Sequence, residues 1–285
     1  MDLNMGAMNF AFDCLIRDIS GAEGPVVDLE GRTFMVEPNR GRILEVLPDG
    51  TARQHCHTGG TPAGLQVDQE NNIWCADMKL GVLRITPEGE VHHEVSEYQG
   101  RPIRGCNDCY FDSMGNLYFT APAGSDKNTP VGQLFCRLSN GEVVELDDGF
   151  YFCNGLAVTA DDSKLVVAET FTKLLWIYDL PAPGKAANKR KLAELPGENT
   201  LGPDGMDFDV EGRLLVANVY GGSIDVFSIN GKLIERVMTP FAKVTNLHFA
   251  GPDDATLLVT ECSTYCLWKT TWRTTGQRQY CDLKR

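Results

Sequence analysis

The 285-residue chain has no apolar run near the ~18 residues that a membrane-crossing helix needs. Its start, Met1-Asp2-Leu3-Asn4, lacks the positive charge that opens a secretory signal. Positive charge is scarce throughout. There are 26 Lys and Arg against 39 Asp and Glu, a net charge of −13, so nucleic acid or an anionic membrane would repel this protein. The one basic cluster, Lys185 to Lys191, follows Pro181 and Pro183 and reads as a solvated loop between strands. Long helices are missing too. Gly and Pro punctuate the whole chain, and segments such as Leu192 to Leu195 lie too close to Pro196 to be more than a strand or one turn. The Cys106-Asn107-Asp108-Cys109 pair has no second pair at zinc-finger spacing. In a strand, residues three apart point to opposite faces, so joint metal or redox use is disfavoured. Several of the ten cysteines sit inside apolar runs, where the thiol acts as a small hydrophobe. Without a signal the cytoplasm is the default location and reduced thiols are expected.

What the chain has is a repeat. Ala22 to Asp28, Pro62 to Asp68, Cys106 to Asp112, Cys153 to Thr159, Pro203 to Asp209 and Thr245 to Ala250 are versions of one segment. At its second position they carry Glu23, Ala63, Asn107, Asn154, Asp204 and Asn246, spaced 40, 44, 47, 50 and 42 residues apart. A period of roughly 40–50 residues with several strands per unit is the signature of a β-propeller. Each unit continues alike. A turn (Glu30-Gly31, Asn71-Asn72, Gly115-Asn116, Asp161-Asp162, Glu211-Gly212) leads to an apolar run such as Thr33 to Val36 or Leu165 to Val167. A third strand follows, for example Arg42 to Val46 or Ser223 to Phe227. Hairpin dipeptides then close several units: Asp49-Gly50, Glu88-Gly89, Asn140-Gly141 and Asn230-Gly231. The reading is all-β: a six-bladed β-propeller with a central channel, one domain over 1–285, with residues 1–9 expected to be disordered.

Five of the six residues at the second position bear a side-chain oxygen, where a strand starts. In a ring of blades those oxygens converge. Turn capping has no reason to favour one radial position in every blade. Glu23, Asn107, Asn154 and Asp204 would present two carboxylates and two amide carbonyls, a hard all-oxygen set suited to Ca²⁺. Zinc would want His or Cys at this position. Two negative charges balance one dication and leave positions open for a substrate oxygen. One step deeper lie Asp207 and His248, in adjacent units. On spacing alone His248 reads as a satisfied core histidine.

These segments also carry a resemblance. Gly21-Ala22-Glu23-Gly24-Pro25, Gly105-Cys106-Asn107-Asp108-Cys109, Thr120-Ala121-Pro122-Ala123-Gly124, Val167-Ala168-Glu169-Thr170, Asp204-Gly205-Met206-Asp207-Phe208-Asp209 and Asn246-Leu247-His248-Phe249 are the motifs. Together they resemble the diisopropylfluorophosphatase branch of the senescence-marker-protein/gluconolactonase/luciferin-regenerating-enzyme-like superfamily of six-bladed calcium propellers. The match runs from about Gly21 to Cys281. The resemblance implies two calcium ions. Glu23, Asn107, Asn154 and Asp204 match the ligands of a catalytic one. Asp207, the Leu247 carbonyl and His248 match a structural one, which replaces the core reading of His248. Asp108 and Asn246 match further channel-lining positions. The implied activity is calcium-dependent hydrolysis of phosphorus–fluorine and organophosphorus triester bonds in a small-molecule substrate. The attacker is either the Asp204 carboxylate or a water at the metal. Alternatives are a lactonase and a non-catalytic propeller scaffold. A monomer is expected. The chain departs from the branch at Cys262, where it has His, and at Val219, where it has Trp. The loops after Gly124 and around Asn39 and Arg40 are shorter.

Overall fold

The computed structural model describes residues 10–284, so the expectation for residues 1–9 lies outside the described residues. Six four-stranded antiparallel sheets stand in a ring. Blade 1 is Glu23–Val27, Thr33–Glu37, Arg42–Val46 and Ala52–His57, from the inner strand outward. Blade 2 is Pro62–Val67, Ile73–Asp77, Gly81–Ile85 and Val91–Val95. Blade 3 is Cys109–Phe111, Leu117–Ala121, Gly132–Arg137 and Val143–Phe150. Blade 4 is Cys153–Val158, Lys164–Glu169, Leu174–Ala182 and Lys185–Glu194. Blade 5 is Gly202–Phe208, Leu214–Val219, Ser223–Phe227 and Leu233–Met238. Blade 6 takes Val244–Gly251, Asp254–Glu261 and Cys266–Thr271 from the end of the chain and its outer strand, Asp13–Ile16, from the beginning. This last pairing closes the ring. The fold is therefore the six-bladed propeller read from the repeat.

The turn after each inner strand explains why the units look alike. Asp28 Oδ1 accepts the N–H groups of Glu30 and Arg32, and Asp68, Asp112 and Asp209 do the same in blades 2, 3 and 5. Such side-chain acceptors fix the turn locally. Burial on both faces then makes the inner strands continuously apolar: Pro62–Val67 and Cys153–Val158 are buried at every position. The blades meet closely because the third position of the repeat is Gly in four of the six units, Gly24, Gly64, Gly155 and Gly205. A Cβ on Gly24 would lie 2.1 Å from the Ala63 carbonyl oxygen, and one on Gly155 would lie 2.3 Å from that of Asp204. Neighbouring inner strands are also tied by hydroxyls. Thr120 donates to the Asn154 carbonyl at 2.8 Å and Thr170 to that of Pro203 at 2.8 Å.

The basic stretch Lys185 to Lys191 is not a loop. It lies within the outer strand of blade 4, paired with Leu174–Ala182. The reason is local neutralisation. Lys189 Nζ pairs with Asp147 at 2.7 Å, 4.1 Å from the Phe150 ring centre and 5.0 Å from that of Trp176, while Arg190 pairs with Asp179 and Lys191 with Glu194. All ten cysteines are free, as expected. Among the described residues the helical structure is two short 3₁₀ segments, Pro38–Arg40 and Tyr280–Lys284, and no helix is long and apolar enough to cross a membrane.

Candidate metal centre

The inner strands start at one end of the channel, and the polar residues read from the repeat stand there. Glu23 opens its strand, and its carboxylate accepts the Gly24 N–H at 2.6 Å and hydrogen bonds from Asn246 and Thr245. Asn154 donates its amide to Thr170 Oγ1 at 3.0 Å and also hydrogen-bonds to the Asp204 carboxylate. Asn107 is held by its backbone, donating to the Thr120 carbonyl at 2.9 Å and accepting from Gly64 N–H at 2.7 Å. It precedes the strand of blade 3, which begins only at Cys109.

Asp108 makes blade 3 different. Most other units have Gly at this position, but here a carboxylate enters the ring, filling the space beside Gly64, whose Cβ would sit 2.1 Å from its Oδ1. Asn246 Nδ2 donates to Asp108 across the channel at 3.4 Å. Three acids therefore face one another. Burial pushes the Glu23 carboxyl up to about 7. Burial, then the charge of Glu23, pushes Asp108 up to about 8. Burial together with the charges of Glu23 and Asp108 raises Asp204 well above the usual carboxylate range. Among the described residues no three His, Cys, Asp or Glu side chains suffice to enclose an ion, so a cation here would need the amide oxygens of Asn107 and Asn154 as well. The donor set fits a hard dication: all oxygen, rich in carboxylate, and strained by its own uncompensated charge.

Deeper in the channel the surroundings change. Asp207 Oδ1 accepts from Phe208 N–H at 2.9 Å, Gln279 Nε2 at 3.1 Å and the Tyr110 hydroxyl at 3.3 Å. His248 Nδ1 stands 3.8 Å from Asp207 Oδ2. Burial pushes this imidazole down to about 4, so it is neutral at pH 7 with a lone pair to offer. Between Asp108, Asp207, Asn246, Leu247 and His248 lies a cavity of about 10 Å³, enough for one atom of water's size. Carboxylate, imidazole and small volume fit one further cation. Tyr110 and Gln279 were not singled out from sequence. Gln279 belongs to a C-terminal segment that crosses the far end of the channel, where Gln277 Nε2 donates to the Val158 carbonyl at 2.9 Å. A surface cavity of about 790 Å³, lined by Val158, Phe208, Gln277 and Tyr280, lies at that far end.

Residues 21–263 match the family model described as SMP-30/Gluconolactonase/LRE-like region. This chain belongs to that family. Over 95% of its length and 95% of the relative's, the family member is 39% identical to diisopropyl-fluorophosphatase of Loligo vulgaris. It is 27% identical to pentonolactonase XacC of Haloferax volcanii, over 84% of this chain and 80% of that one. In structure it is similar to a calcium-binding protein, regucalcin, from Agrobacterium tumefaciens, with a TM-score of 0.80 at 20% identity, covering 97% of this chain and 98% of the other.

Proposed function

We propose that this chain is a calcium-dependent hydrolase of phosphorus–fluorine and organophosphorus triester bonds. The fluorophosphatase and lactonase relatives support a hydrolase, and the bond it cuts is our reading. The observation that carries it is the mouth: burial raises Glu23, Asp108 and Asp204, the charge of Glu23 raises Asp108 and Asp204 further, and Asn154 hydrogen-bonds to Asp204 there. A scaffold gains nothing from burying such a charge cluster. Glu23, Asn107, Asn154 and Asp204 would hold the catalytic ion, and Asp207, His248 and the Leu247 carbonyl a structural one. When bound, calcium polarises the phosphoryl or carbonyl oxygen as a Lewis acid. The chain's own part falls largely to Asp204. Asn154 and the Gly205 N–H fix its carboxylate at the mouth. Ionised, it can attack phosphorus directly, forming an O–P bond while fluoride leaves with the bonding pair, and water then hydrolyses the acyl phosphate. Alternatively it orients the attacking water. Both routes need its negative charge. The substrate is a small neutral molecule, and we place the protein in the cytoplasm as a monomer.

The pentonolactonase relative supports a second reading, lactone hydrolysis, since the same donors suit an ester carbonyl. Val219 and Cys262 at the mouth are the positions to set the choice. A hydrolysis panel of fluorophosphates, phosphotriesters and lactones, with calcium and with chelator, tests the proposal. Calcium-dependent turnover fastest on a fluorophosphate is expected. Turnover of lactones alone would select the second reading, and no calcium-dependent turnover at all would return the chain to a scaffold.

A further inference from the structure

Lys243 stands beside the inner strand of blade 6, whereas Lys189 belongs to the outer strand of blade 4. Lys189 is spent on Asp147 and three aromatic rings. Lys243 has no carboxylate within ion-pair distance among the described residues. It stands three residues outward of Asn246, immediately before the inner strand of blade 6. Its carbonyl accepts the Cys262 N–H at 3.0 Å, its N–H donates to Ser263 Oγ at 2.9 Å, and it bridges to Val219 of blade 5. Its ammonium lies 5.1 Å from the centre of the Tyr220 ring, a cation–π contact that fixes a flexible side chain at little cost to its charge. Cys262 ties this lysine to the acids. Its thiol approaches the Ala22 carbonyl at 3.6 Å, next to Glu23, and feels the charges of Glu23, Asp204 and Lys243 together.

The charge balance gives this lysine a use. Glu23, Asp108 and Asp204 gather three acids at the mouth, and the two that would hold the dication, Glu23 and Asp204, balance its charge without leaving a surplus. Hydrolysis of either proposed substrate class turns a neutral molecule into a monoanionic acid, a dialkyl phosphate or a hydroxy-carboxylate. Such a product meets an acid-lined mouth with no surplus positive charge unless a further cation stands beside it. We propose that Lys243, steered by Tyr220, is the receptor for the monoanionic acid product and sets the strength of product inhibition. This rests on the mouth being the hydrolytic site, and it is tested without turnover.

Diethyl phosphate is titrated calorimetrically into calcium-supplemented wild type, Lys243→Met and Lys243→Arg, with equal thermal melts as the check on folding. Lys243→Met should bind at least about tenfold more weakly, which is about 1.4 kcal/mol. Lys243→Arg should stay within about threefold of wild type, because charge and the ring contact are both retained. Raising salt from about 0.02 to 0.5 M should weaken wild type far more than Lys243→Met. Equal binding by wild type and Lys243→Met, or no binding by either, overturns the proposal. If the methionine variant loses the anion while wild type hydrolyses nothing in the panel, the receptor stands and the hydrolase reading falls. Turnover of a triester with an anion affinity indifferent to Lys243 gives the reverse.

Discussion

The two polar layers of the channel hold similar side chains in opposite circumstances. At the mouth, Glu23, Asp108 and Asp204 face chiefly one another, and each raises or is raised by another. One layer down, Asp207 faces donors: two backbone N–H groups, the Tyr110 hydroxyl and the Gln279 amide. These donors fix the position of Asp207, although burial still pushes its carboxyl up to about 7. A carboxylate opposed by carboxylates needs a cation to be ionised at all. The mouth is therefore the layer whose charge is available for chemistry, and the deeper layer is the one that joins the blades to the C-terminal segment.

The comparison breaks most visibly on removing metal. Stripping calcium should lower the melting temperature strongly, because an ion that binds only the native state adds RT ln(1+[L]/Kd), about 4 kcal/mol at a thousandfold excess. A melt of verified calcium-free protein that matches the loaded one would remove the structural ion from the account. Next in size is Asp204→Asn. It keeps shape and one oxygen but deletes the charge, so activity should fall at least about a hundredfold, near 2.7 kcal/mol of barrier, with circular dichroism unchanged. Near-wild-type turnover would rule out both routes through Asp204. Oxygen-18 water in single turnovers separates them: label entering Asp204 marks the carboxylate as nucleophile.

A smaller effect comes from protons. In metal-free protein Glu23 titrates near 7 and Asp108 near 8, against ordinary values of 4.5 and 3.8. A folded-state value above the unfolded one means the fold binds these protons more tightly. Their contribution is complete below about pH 4 and is lost as pH rises through about 7 to 8. Chelated protein should therefore lose stability between pH 5 and 8.5. Calcium should flatten that slope. A chelated melt that instead rises over this window would show that the acids are not opposed as described.

Much of this was legible in the sequence because the propeller repeats itself locally. The turn residues Gly31, Asn71, Gly115, Asp162 and Gly212 all take left-handed φ, so composition alone betrayed each turn. The mouth residues were legible because strand register carries them to one radius. What escaped was whatever depends on distant segments. Tyr110 meets Gln279 at 3.1 Å across most of the chain, and nothing in either neighbourhood advertises it. Asp13–Ile16 gives no sign of belonging beside Cys266–Thr271 until blade 6 lacks an outer strand. Lys185 to Lys191 is solvated as expected but read as a loop, because Asp147, Asp179 and the three rings that hold it as an edge strand lie on strands whose pairing the sequence does not show.

The smallest expected effect sharpens the comparison within the mouth itself. Val219 is 7% exposed, and its carbonyl accepts the Leu201 N–H at 2.8 Å at the edge of blade 5. The diisopropylfluorophosphatase branch, by resemblance, has Trp here. Val219 pairs with Gly202, two residues before Asp204, so an indole here would offer an apolar wall to branched alkyl groups while narrowing the room for a polar lactone ring. Changing such a wall is worth about 1–3 kcal/mol of discrimination. Val219→Trp should therefore raise kcat/KM for diisopropyl fluorophosphate relative to a gluconolactone by at least about fivefold, near 1 kcal/mol. Its melting temperature with calcium should fall modestly, because adding an indole at a buried position overpacks it by about 1–3 kcal/mol. A ratio unmoved within about twofold would place the substrate's alkyl groups away from Val219, on another side of the mouth.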